Sequence, residues 1–278
     1  MKFSIITINY NNQEGLRKTI ESVVNQTYTD FEYIVIDGGS TDGSVEVIKQ
    51  YANEIGYWIS EPDKGIYNAM NKGIAKAHGD YLSFMNSGDC FHNTHILEDI
   101  ATLCTADIIV GRVANKSLDG QKTSHSMKIR NVSMFLFFHT ALPHQGCFIK
   151  RSLFSHHLYD ESLKIVSDWK FLMECAVFQN CETILTDVIV ADCEYRGASN
   201  DIQKLQEEKD KVLTNIIPAG MQKDYLCLSP LGLSSFDMLI YIAKYPKLRK
   251  LLYRIMKSIV FVHQKLGPNM QKVGWKVL

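Results

Sequence analysis

The sequence FEYIVIDGGSTDGS, residues 31–44, places a short apolar run directly before a polar, glycine-rich turn. Apart from Glu32, residues 31–36 are β-branched or aromatic, as in a buried β-strand. The turn that follows, residues 37–44, contains Ser40 and Thr41, which are suited to cap a helix. The stretch therefore predicts a strand, a tight turn and a helix, in that order.

The same alternation of strand and helix continues on both sides of this stretch. Apolar runs over residues 3–8, 57–59 and 81–85 predict three more short strands. Apolar residues between the runs recur at helical spacing: Leu16, Ile20, Val23 and Val24; Val45, Ile48, Tyr51 and Ala52; and Ala69, Met70, Gly73, Ile74 and Ala77. We therefore predict an α/β fold with a mostly parallel sheet flanked by helices.

Polar residues follow each predicted strand, where open α/β sheets bind their ligands. They are Asn9 and Asn11, then Asp37, then Glu61 and Asp63, and finally Asn86 and Asp89. The glycines of the 37–44 turn fit neither the dinucleotide-binding nor the P-loop spacing. An acid directly after a buried strand is suited to a hydrogen bond with a base or ribose, so Asp37 is a candidate nucleotide ligand. A plain capped turn is the alternative.

Composition narrows the class of protein. The 278 residues are 46% hydrophobic and 22% charged, which indicates a globular chain. The 30 basic and 30 acidic residues balance, and we predict no nucleic-acid partner. Seven cysteines without a CxxC pair predict reduced thiols in a cytoplasmic protein. No apolar run reaches the roughly eighteen residues of a membrane-spanning helix, so we expect a soluble or peripheral protein.

Four ordered blocks of sequence resemble family 2 glycosyltransferases of the GT-A fold, especially bacterial enzymes that build surface polysaccharides. The blocks are SIITINYNN, VIDGGSTDGS, SEPDKGIYNAMNKGIAKAHGDYLSFMNSGD and PHQGCFIKRSLF. The resemblance covers residues 1–200, which we expect to form the transferase domain, with residues 201–278 as a helical extension. It implies transfer of a sugar from a nucleotide-sugar donor to an acceptor hydroxyl, normally with a divalent metal and inversion at the anomeric carbon.

The resemblance assigns the metal to Asp89. The family's DxD-like motif corresponds here to Ser87, Gly88 and Asp89, so Gly88 stands where a second acid is common. One carboxylate is chemically sufficient, because Mg²⁺ and Mn²⁺ also accept oxygen ligands from water and phosphate. The alternative for Asp89 is a helix-capping acid.

The family also implies a catalytic base, which must be a second carboxylate. Asp168 precedes the apolar helix of residues 169–178. It matches the position of the family's catalytic base, which follows the block PHQGCFIKRSLF. A first-turn acid is favoured by the helix dipole and stays ionised, as a base must, although an N-terminal helix acid without chemistry would look the same. Asp160 and Glu161 are reserve candidates.

Further residues are predicted to contact the nucleotide sugar: Thr7, Asn9, Tyr10 and Asn11 at the end of strand one, Asp37, Asp63, Lys64, Ser87, Gly88, His144 and Arg196. Lys64 could equally be a solvated loop lysine, and His144 a hydrogen-bonded structural histidine. Arg196 resembles a residue of the family's mobile loop over the donor. The pair His92 and His95 lacks an identified third metal ligand.

The C-terminal region has a different character. After Asp237 the chain has nine basic residues and no acid. Its apolar positions recur at helical spacing with Arg249, Lys250, Arg254 and Lys257 between them. Such a basic amphipathic helix suits an anionic membrane surface, and packing on the catalytic domain is the alternative.

These observations predict a cytoplasmic glycosyltransferase, peripheral on the cytoplasmic membrane face, that requires Mg²⁺ or Mn²⁺. The favoured donor is a UDP-sugar, and the acceptor is a saccharide or a lipid-linked saccharide. A sugar nucleotidyltransferase is one alternative, although its glycine-rich, basic N-terminal signature is absent. A non-catalytic protein that binds nucleotide sugars is the other.

Overall fold

The computed structural model describes residues 1–116, 123–126, 128–194 and 201–266. The first 85 residues alternate strand and helix, as the sequence predicts. The elements are β1 (Phe3–Asn9), α1 (Gln13–Val24), β2 (Phe31–Asp37), α2 (Ser44–Gln50), β3 (Tyr57–Ser60), α3 (Ile66–Ile74) and β4 (Tyr81–Phe84).

The following part of the chain adds strands of both directions and several short helices. They are β5 (Cys90–Phe91), α4 (Ile96–Ala101), β6 (Ile108–Lys116), β7 (Thr123–His125), α5 (Met134–His139), β8 (Cys147–Lys150), α6 (Ser167–Met173), β9 (Thr183–Glu194) and α7 (Ile202–Ile216). A single 3₁₀ turn, His144–Gly146, directly precedes β8.

The described strands form one sheet in the order β3-β2-β1-β4-β8-β6-β9-β5, with β7 paired to β6. The pairs among β1 to β4 are parallel, so the predicted parallel α/β arrangement is confirmed there. Beyond β4 the sheet is mixed, because β8 runs antiparallel to both β4 and β6. The register pairs Asn9 with Asp37 and Asp37 with Ser60, which brings the carboxyl ends of β1, β2 and β3 to one edge.

The core lies where the helices cover this sheet. All seven residues of β1 are buried, and the predicted stripe Leu16, Ile20 and Val23 of α1 is buried as well. Helix α3 lies close to β1 because Gly73 has no side chain, since a Cβ there would come within 2.5 Å of Ile6 Cγ2. Each buried aliphatic side chain stabilises the fold by about 1.5–3 kcal/mol relative to leaving it in water.

Two compact units account for the chain, Met1–Lys223 and Asp224–Leu278. Helix α7 belongs to the first unit. The predicted division of the chain after residue 200 remains a prediction about domain organisation.

The C-terminal helices are α8 (Ala219–Leu228), α9 (Gly232–Ala243) and α10 (Pro246–Leu266). Along α10, the apolar Leu248, Leu251, Ile255 and Ile259 are all exposed. In the described chain, no single helix has both the length and the apolar composition to cross a bilayer. Helices α8 and α9 meet these criteria only as a pair, with a bend of 92° between them.

Candidate active site

A cleft of about 1130 Å³ opens beyond the carboxyl ends of β1 and β4. Eight of the predicted site residues line it: Asn9, Tyr10, Asp63, Ser87, Gly88, Asp89, His144 and Asp168. Thr7, Asn11, Asp37 and Lys64 are not among the lining residues, and Arg196 lies outside the described residues. The cleft therefore gathers residues from three of the four blocks of sequence, together with Asp168.

Asp37 is wholly buried at the end of β2, and protein donors surround its carboxylate. Oδ1 accepts hydrogen bonds from Asn9 Nδ2 (2.7 Å) and Ser40 Oγ (2.6 Å), and Oδ2 accepts from the Ser40 backbone N–H (2.9 Å) and from Ser60 Oγ (2.6 Å). Burial alone raises the pKa of Asp37, but the hydrogen bonds from Ser40, Ser60 and Asn9 outweigh it and hold that pKa below its usual value. Asp37 thus organises the turn, and its predicted contact with the nucleotide remains a prediction.

Thr7 and Asn11, which the sequence predicted to contact the donor, form hydrogen bonds with other residues of the chain. The Thr7 hydroxyl is buried, 2.7 Å from the Met85 carbonyl and 2.9 Å from Tyr33 Oη. The Asn11 side-chain oxygen accepts from the Thr41 backbone N–H at 2.9 Å. Both side chains are therefore engaged within the protein, and their predicted contacts with the donor remain predictions.

Tyr10 and Asp63 converge over Gly38 and form one rim of the cleft. A Cβ on Gly38 would lie 2.5 Å from Asp63 Oδ2 and 3.1 Å from Tyr10 Cδ2, so a side chain at this position would displace one or both of them. Tyr10 is 67% exposed, which leaves its ring open to a ligand. The neighbouring Lys64 is an exposed loop residue, as its alternative interpretation held. Its carbonyl instead accepts a hydrogen bond from Lys164 Nζ at 3.4 Å, and Lys164 lines the cleft.

The turn that carries Asp89 is fastened to α1. Gly88, at a φ of 104°, donates its backbone N–H to Thr19 Oγ1 at 3.0 Å, and Asn12 Nδ2 donates to the Ser87 carbonyl at 3.0 Å. The positive φ is a conformation that glycine adopts without strain, which a second acid at Gly88 would not. Asp89 is 8% exposed, and Oδ2 accepts a hydrogen bond from Gln145 Nε2 at 3.1 Å.

The residues around Asp89 fit a hard divalent cation. Asn86 also lines the cleft, and its buried side-chain oxygen Oδ1 has no hydrogen-bond partner among the described residues. A carboxylate and an amide oxygen are ligands of the kind that Mg²⁺ and Mn²⁺ prefer. Within the described ranges no group of three His, Cys, Asp or Glu side chains could hold a metal, so remaining ligands would come from donor phosphates and water. His92 contacts Asp192 and His95 contacts Glu98, and the two histidines do not form a shared site.

Asp168 lies in the first turn of α6, as predicted, and faces the same cleft. Its Oδ1 is 2.8 Å from Tyr67 Oη, which also lies 2.7 Å from the Ile165 carbonyl. Burial and the neighbouring Asp168 charge raise the pKa of Tyr67, so the phenol keeps its proton. Oδ2 of Asp168 has no hydrogen-bond partner in the part of the chain that the structure describes. One oxygen is thereby positioned, and the other can receive a proton.

The reserve acids are engaged elsewhere. Asp160 pairs with Lys170 at 2.8 Å, and hydrogen bonds from Lys170 and Ser162 lower its pKa to about 2. Glu161 accepts hydrogen bonds from Asn68 and Asn71. Neither acid lines the cleft, so Asp168 is the better placed base.

His144 has the features of its structural alternative. Its ring is buried and stacks on Phe84 with 5.1 Å between ring centres, and Nε2 lies 2.9 Å from Tyr159 Oη. Burial lowers the pKa of His144, so the imidazole is neutral at pH 7. The side chain lines the cleft as a neutral group that supports the wall.

Sequence reasoning missed several residues of the site: Tyr67, Gln145, Lys164, Trp169 and Lys209. Tyr67 and Gln145 lie inside quoted family blocks, Gln145 directly after His144 and Tyr67 three residues after Lys64. Lys209 lies on α7 beside Val212 and Leu213, the other buried residues of that helix. A lysine within the apolar stripe of an otherwise polar helix is the signal that would have found it.

Three comparisons with known proteins agree with this geometry. The family model for glycosyl transferase family 2 matches residues 4–158. An uncharacterised glycosyltransferase of Mycobacterium tuberculosis is 32% identical over 202 residues, 71% of this chain and 76% of that protein. A glycosyltransferase of PGL/p-HBAD biosynthesis from Mycobacterium bovis is 29% identical over 209 residues, 72% of this chain and 80% of that protein.

Solved structures share the fold. Residues 1–349 of S. aureus TarS, in complex with UDP-GlcNAc, align with a TM-score of 0.62 and 21% identity over 81% of this chain and 70% of that one. The mannosyltransferase PcManGT from Pyrobaculum calidifontis, in complex with GDP-Man and Mn²⁺, aligns with a TM-score of 0.55 and 12% identity over 90% and 82%. The predicted GT-A fold is thereby confirmed.

Proposed function

The chain belongs to glycosyltransferase family 2, and we propose that it moves a sugar from a nucleotide-sugar donor to a saccharide or lipid-linked saccharide acceptor, with a divalent metal and inversion at the anomeric carbon. The observation that carries this proposal is the presence of Asp89 and Asp168 in one cleft. Asp89 lines the cleft together with Asn86, whose side-chain oxygen has no partner among the described residues, and Asp168 has one oxygen positioned by Tyr67. A metal ligand and a base are the two acids that this reaction requires.

The donor's nucleotide would lie at the β1 and β2 end of the cleft. Asn9 lines the cleft there, and its buried Oδ1 has no hydrogen-bond partner among the described residues. That oxygen would accept from a base or ribose, and the exposed Tyr10 ring offers an apolar surface. A UDP-sugar is our favoured donor, which the UDP and UDP-GlcNAc complexes of TarS support.

The donor's diphosphate would lie at the Asp89 end. Asp89 and Asn86 would hold Mg²⁺ or Mn²⁺, which supplies neutralisation of the charge on the departing diphosphate. The Mn²⁺ complex of PcManGT supports this choice of cation. Gln145 keeps the Asp89 carboxylate in its orientation through the hydrogen bond to Oδ2.

Asp168 would act as the base. As the acceptor oxygen bonds to the anomeric carbon, its proton passes to Asp168 Oδ2 and the bond from that carbon to the phosphate oxygen breaks. The electron pair of the broken bond leaves with the nucleoside diphosphate. Tyr67 restrains Oδ1 throughout, so the carboxylate presents its free oxygen in a fixed direction.

A screen of nucleotide sugars tests this function and its alternatives. Ligands that bind the folded state raise its unfolding temperature, so the donor should stabilise the protein in Mn²⁺ more than in EDTA. Incubation of the stabilising donor with saccharide and lipid-linked acceptors should then yield nucleoside diphosphate and product. Binding without product would favour a non-catalytic protein, and release of pyrophosphate from a sugar phosphate and a nucleoside triphosphate would favour a nucleotidyltransferase.

We further place the protein on the cytoplasmic face of the membrane in bacterial surface-polysaccharide synthesis. Exposed apolar residues of α10 alternate with exposed basic ones, and no acid follows Asp237. Anionic lipid attracts such a helix by about 1 kcal/mol for each basic residue near the surface. A relative is named as a PGL/p-HBAD biosynthesis glycosyltransferase, which supports a biosynthetic role for this chain. Packing of α10 on the catalytic unit remains the alternative.

A further inference from the structure

Helix α7 contacts the loop that presents the proposed base. The Glu208 carboxylate accepts backbone hydrogen bonds from Lys164 (2.7 Å), Ile165 (2.8 Å) and Val166 (3.2 Å), the residues directly before α6. Three N–H donors on one carboxylate form a strong attachment, because hydrogen bonds to a charged group are about twice as strong as neutral ones. The position of α7 is therefore tied to that of the loop before Asp168.

Because Glu208 is attached in this way, the residue that follows it, Lys209, lines the cleft. Lys209 is 9% exposed, and its Nζ lies 5.1 Å from the centre of the Trp169 ring. Trp169 is itself fixed, because its Nε1 donates to the carbonyls of Phe137 (3.0 Å) and Thr140 (3.1 Å). The ammonium group thus occupies a set position beside the residue that follows Asp168.

Lys209 has no ionic or hydrogen-bond partner in the described residues, where no carboxylate oxygen lies within 4.0 Å of Nζ. The contact with Trp169 compensates part of the lost hydration but satisfies none of the three N–H donors. The side chain of Lys209 is largely buried, and among the described residues its ammonium has no protein partner to offset the water it has lost. Burial lowers the pKa of Lys209, while the charge of Asp168 opposes that shift. An anionic ligand in the cleft would provide the partner that the Lys209 ammonium lacks.

The charges of the cleft indicate which ligand that is. Its described lining contains three acids, Asp63, Asp89 and Asp168, and only two cations, Lys164 and Lys209. Of the two, Lys164 is exposed and its Nζ already contacts the Lys64 carbonyl. A substrate phosphate entering an acidic cleft needs a local cation, and a lysine ammonium is a compact charge suited to phosphate oxygens.

We propose that Lys209 is a phosphate-binding residue of the cleft, held in place by Glu208 and Trp169. The proposal rests on the proposed transferase function, in which two phosphate groups can reach this position. One is the diphosphate of the nucleotide-sugar donor, and the other is the phosphate of a lipid-linked acceptor. Both present the same oxyanion to Nζ.

The experiment compares the full chain with Lys209→Met and with Lys211→Met. Methionine keeps the apolar stem against Trp169 and removes the charge. Lys211 is exposed on the same helix and serves as the matched control. Calorimetric titrations use two probes with Mn²⁺ present: pyrophosphate for the donor diphosphate, and octyl phosphate, added to protein saturated with UDP, for the acceptor phosphate.

We expect Lys209→Met to weaken at least one probe by about tenfold or more, since hydrogen bonds to charged groups contribute about 1.5–3 kcal/mol. Loss with pyrophosphate assigns Lys209 to the donor, and loss with octyl phosphate alone assigns it to the acceptor. The unfolding temperature of the ligand-free variant should stay equal or rise, because a largely buried ammonium without a protein partner among the described residues has been removed. A merely structural lysine would instead lower it.

Three results would overturn the proposal: wild-type affinity of Lys209→Met for both probes, an equal loss in Lys211→Met, or no binding of either probe by the wild type. The outcome is separable from the transferase assignment. Phosphate binding that depends on Lys209 without product formation would refute transfer alone. Product formation with unchanged phosphate affinity in Lys209→Met would refute the role of Lys209 alone.

Discussion

Charged side chains at the two ends of the cleft differ in how far the protein satisfies them. At the β2 end, the Asp37 carboxylate receives four hydrogen bonds from its own chain. At the α6 end, Asp168 keeps one oxygen without a partner among the described residues, and the Lys209 ammonium lies over the Trp169 ring with no hydrogen-bond or ionic partner among those residues. Both ends lie in the same α/β unit, but Asp37 is wholly buried, whereas Asp168 is half-buried and lines the cleft.

We infer from this difference that Asp37 stabilises the fold around the cleft, whereas Asp168 and Lys209 interact with the substrate. A satisfied buried acid stabilises the fold and gains little from a ligand, whereas an unsatisfied one carries a cost that a ligand can relieve. Asp37 therefore holds the turn before α2, while Asp168 and Lys209 remain free to exchange a proton or bind an anion. The three predictions that follow test this division, beginning with the largest effect.

Asp168→Asn should lower transfer by about two to four orders of magnitude, because the amide keeps the hydrogen bond from Tyr67 but cannot accept the acceptor's proton. Product formation at saturating donor measures the effect, and Asp160→Asn is the matched control because Asp160 pairs with Lys170 outside the cleft. Transfer near the wild-type rate in a folded Asp168→Asn protein would move the base to another residue.

The basic side chains of α10 are exposed to solvent, unlike the buried charged groups of the cleft, and their replacement tests the proposed membrane contact. Replacement of Arg249, Lys250, Arg254 and Lys257 by Gln should weaken sedimentation with anionic vesicles by about tenfold or more, because each basic residue contributes about 1 kcal/mol. Zwitterionic vesicles and a Lys204→Gln, Lys211→Gln variant provide controls. Equal vesicle binding by the variant and the wild type would favour packing of α10 on the catalytic unit.

Asp37→Asn should lower the free energy of unfolding at pH 7 by about 1–3 kcal/mol, because an amide replaces a carboxylate that accepts four hydrogen bonds. The folded-state pKa of Asp37 lies below its usual value, so the stabilisation is complete above the unfolded pKa of about 4 and is lost as the pH falls through the folded value. The difference between wild type and variant should therefore shrink below about pH 4. Denaturant titrations across this range measure it.

A constant difference down to the lowest pH at which both proteins fold would show that the carboxylate charge of Asp37 does not stabilise the turn. A loss of donor affinity without loss of stability would return Asp37 to the role of nucleotide ligand.

The parts of this architecture that follow from local chemistry could be predicted from sequence. The periodicity of the strands and the residues of the turns predicted β1 to β4. They also predicted the edge of the sheet, at the carboxyl ends of these strands, where Asn9, Asp63 and Asp89 line the cleft. The family resemblance added the roles of Asp89 and Asp168. In each case the signal lies within a few neighbouring residues, where steric and capping preferences act.

What the sequence could not provide depends on contacts between distant segments. Tyr67 reaches Asp168 from α3, and Glu208 reaches the 164–166 loop from a helix that reads as polar. The contacts of Thr7 with Met85 and Tyr33 could not be predicted, because a strand buried on both faces shows no alternation of apolar and polar residues. Lys209 was missed because its helix looked solvated until Trp169 was placed beside it.

The central claim is that Asp89 holds the metal at the donor while Asp168 acts only on the acceptor proton, and donor affinity tests it most directly. The donor identified by the screen would be titrated, with Mn²⁺ present, into Asp89→Asn and Asp168→Asn. The account predicts a loss of about tenfold or more in the first, because a neutral amide is a weaker metal ligand, and wild-type affinity in the second. An Asp168→Asn protein that binds the donor as poorly as Asp89→Asn does would contradict it.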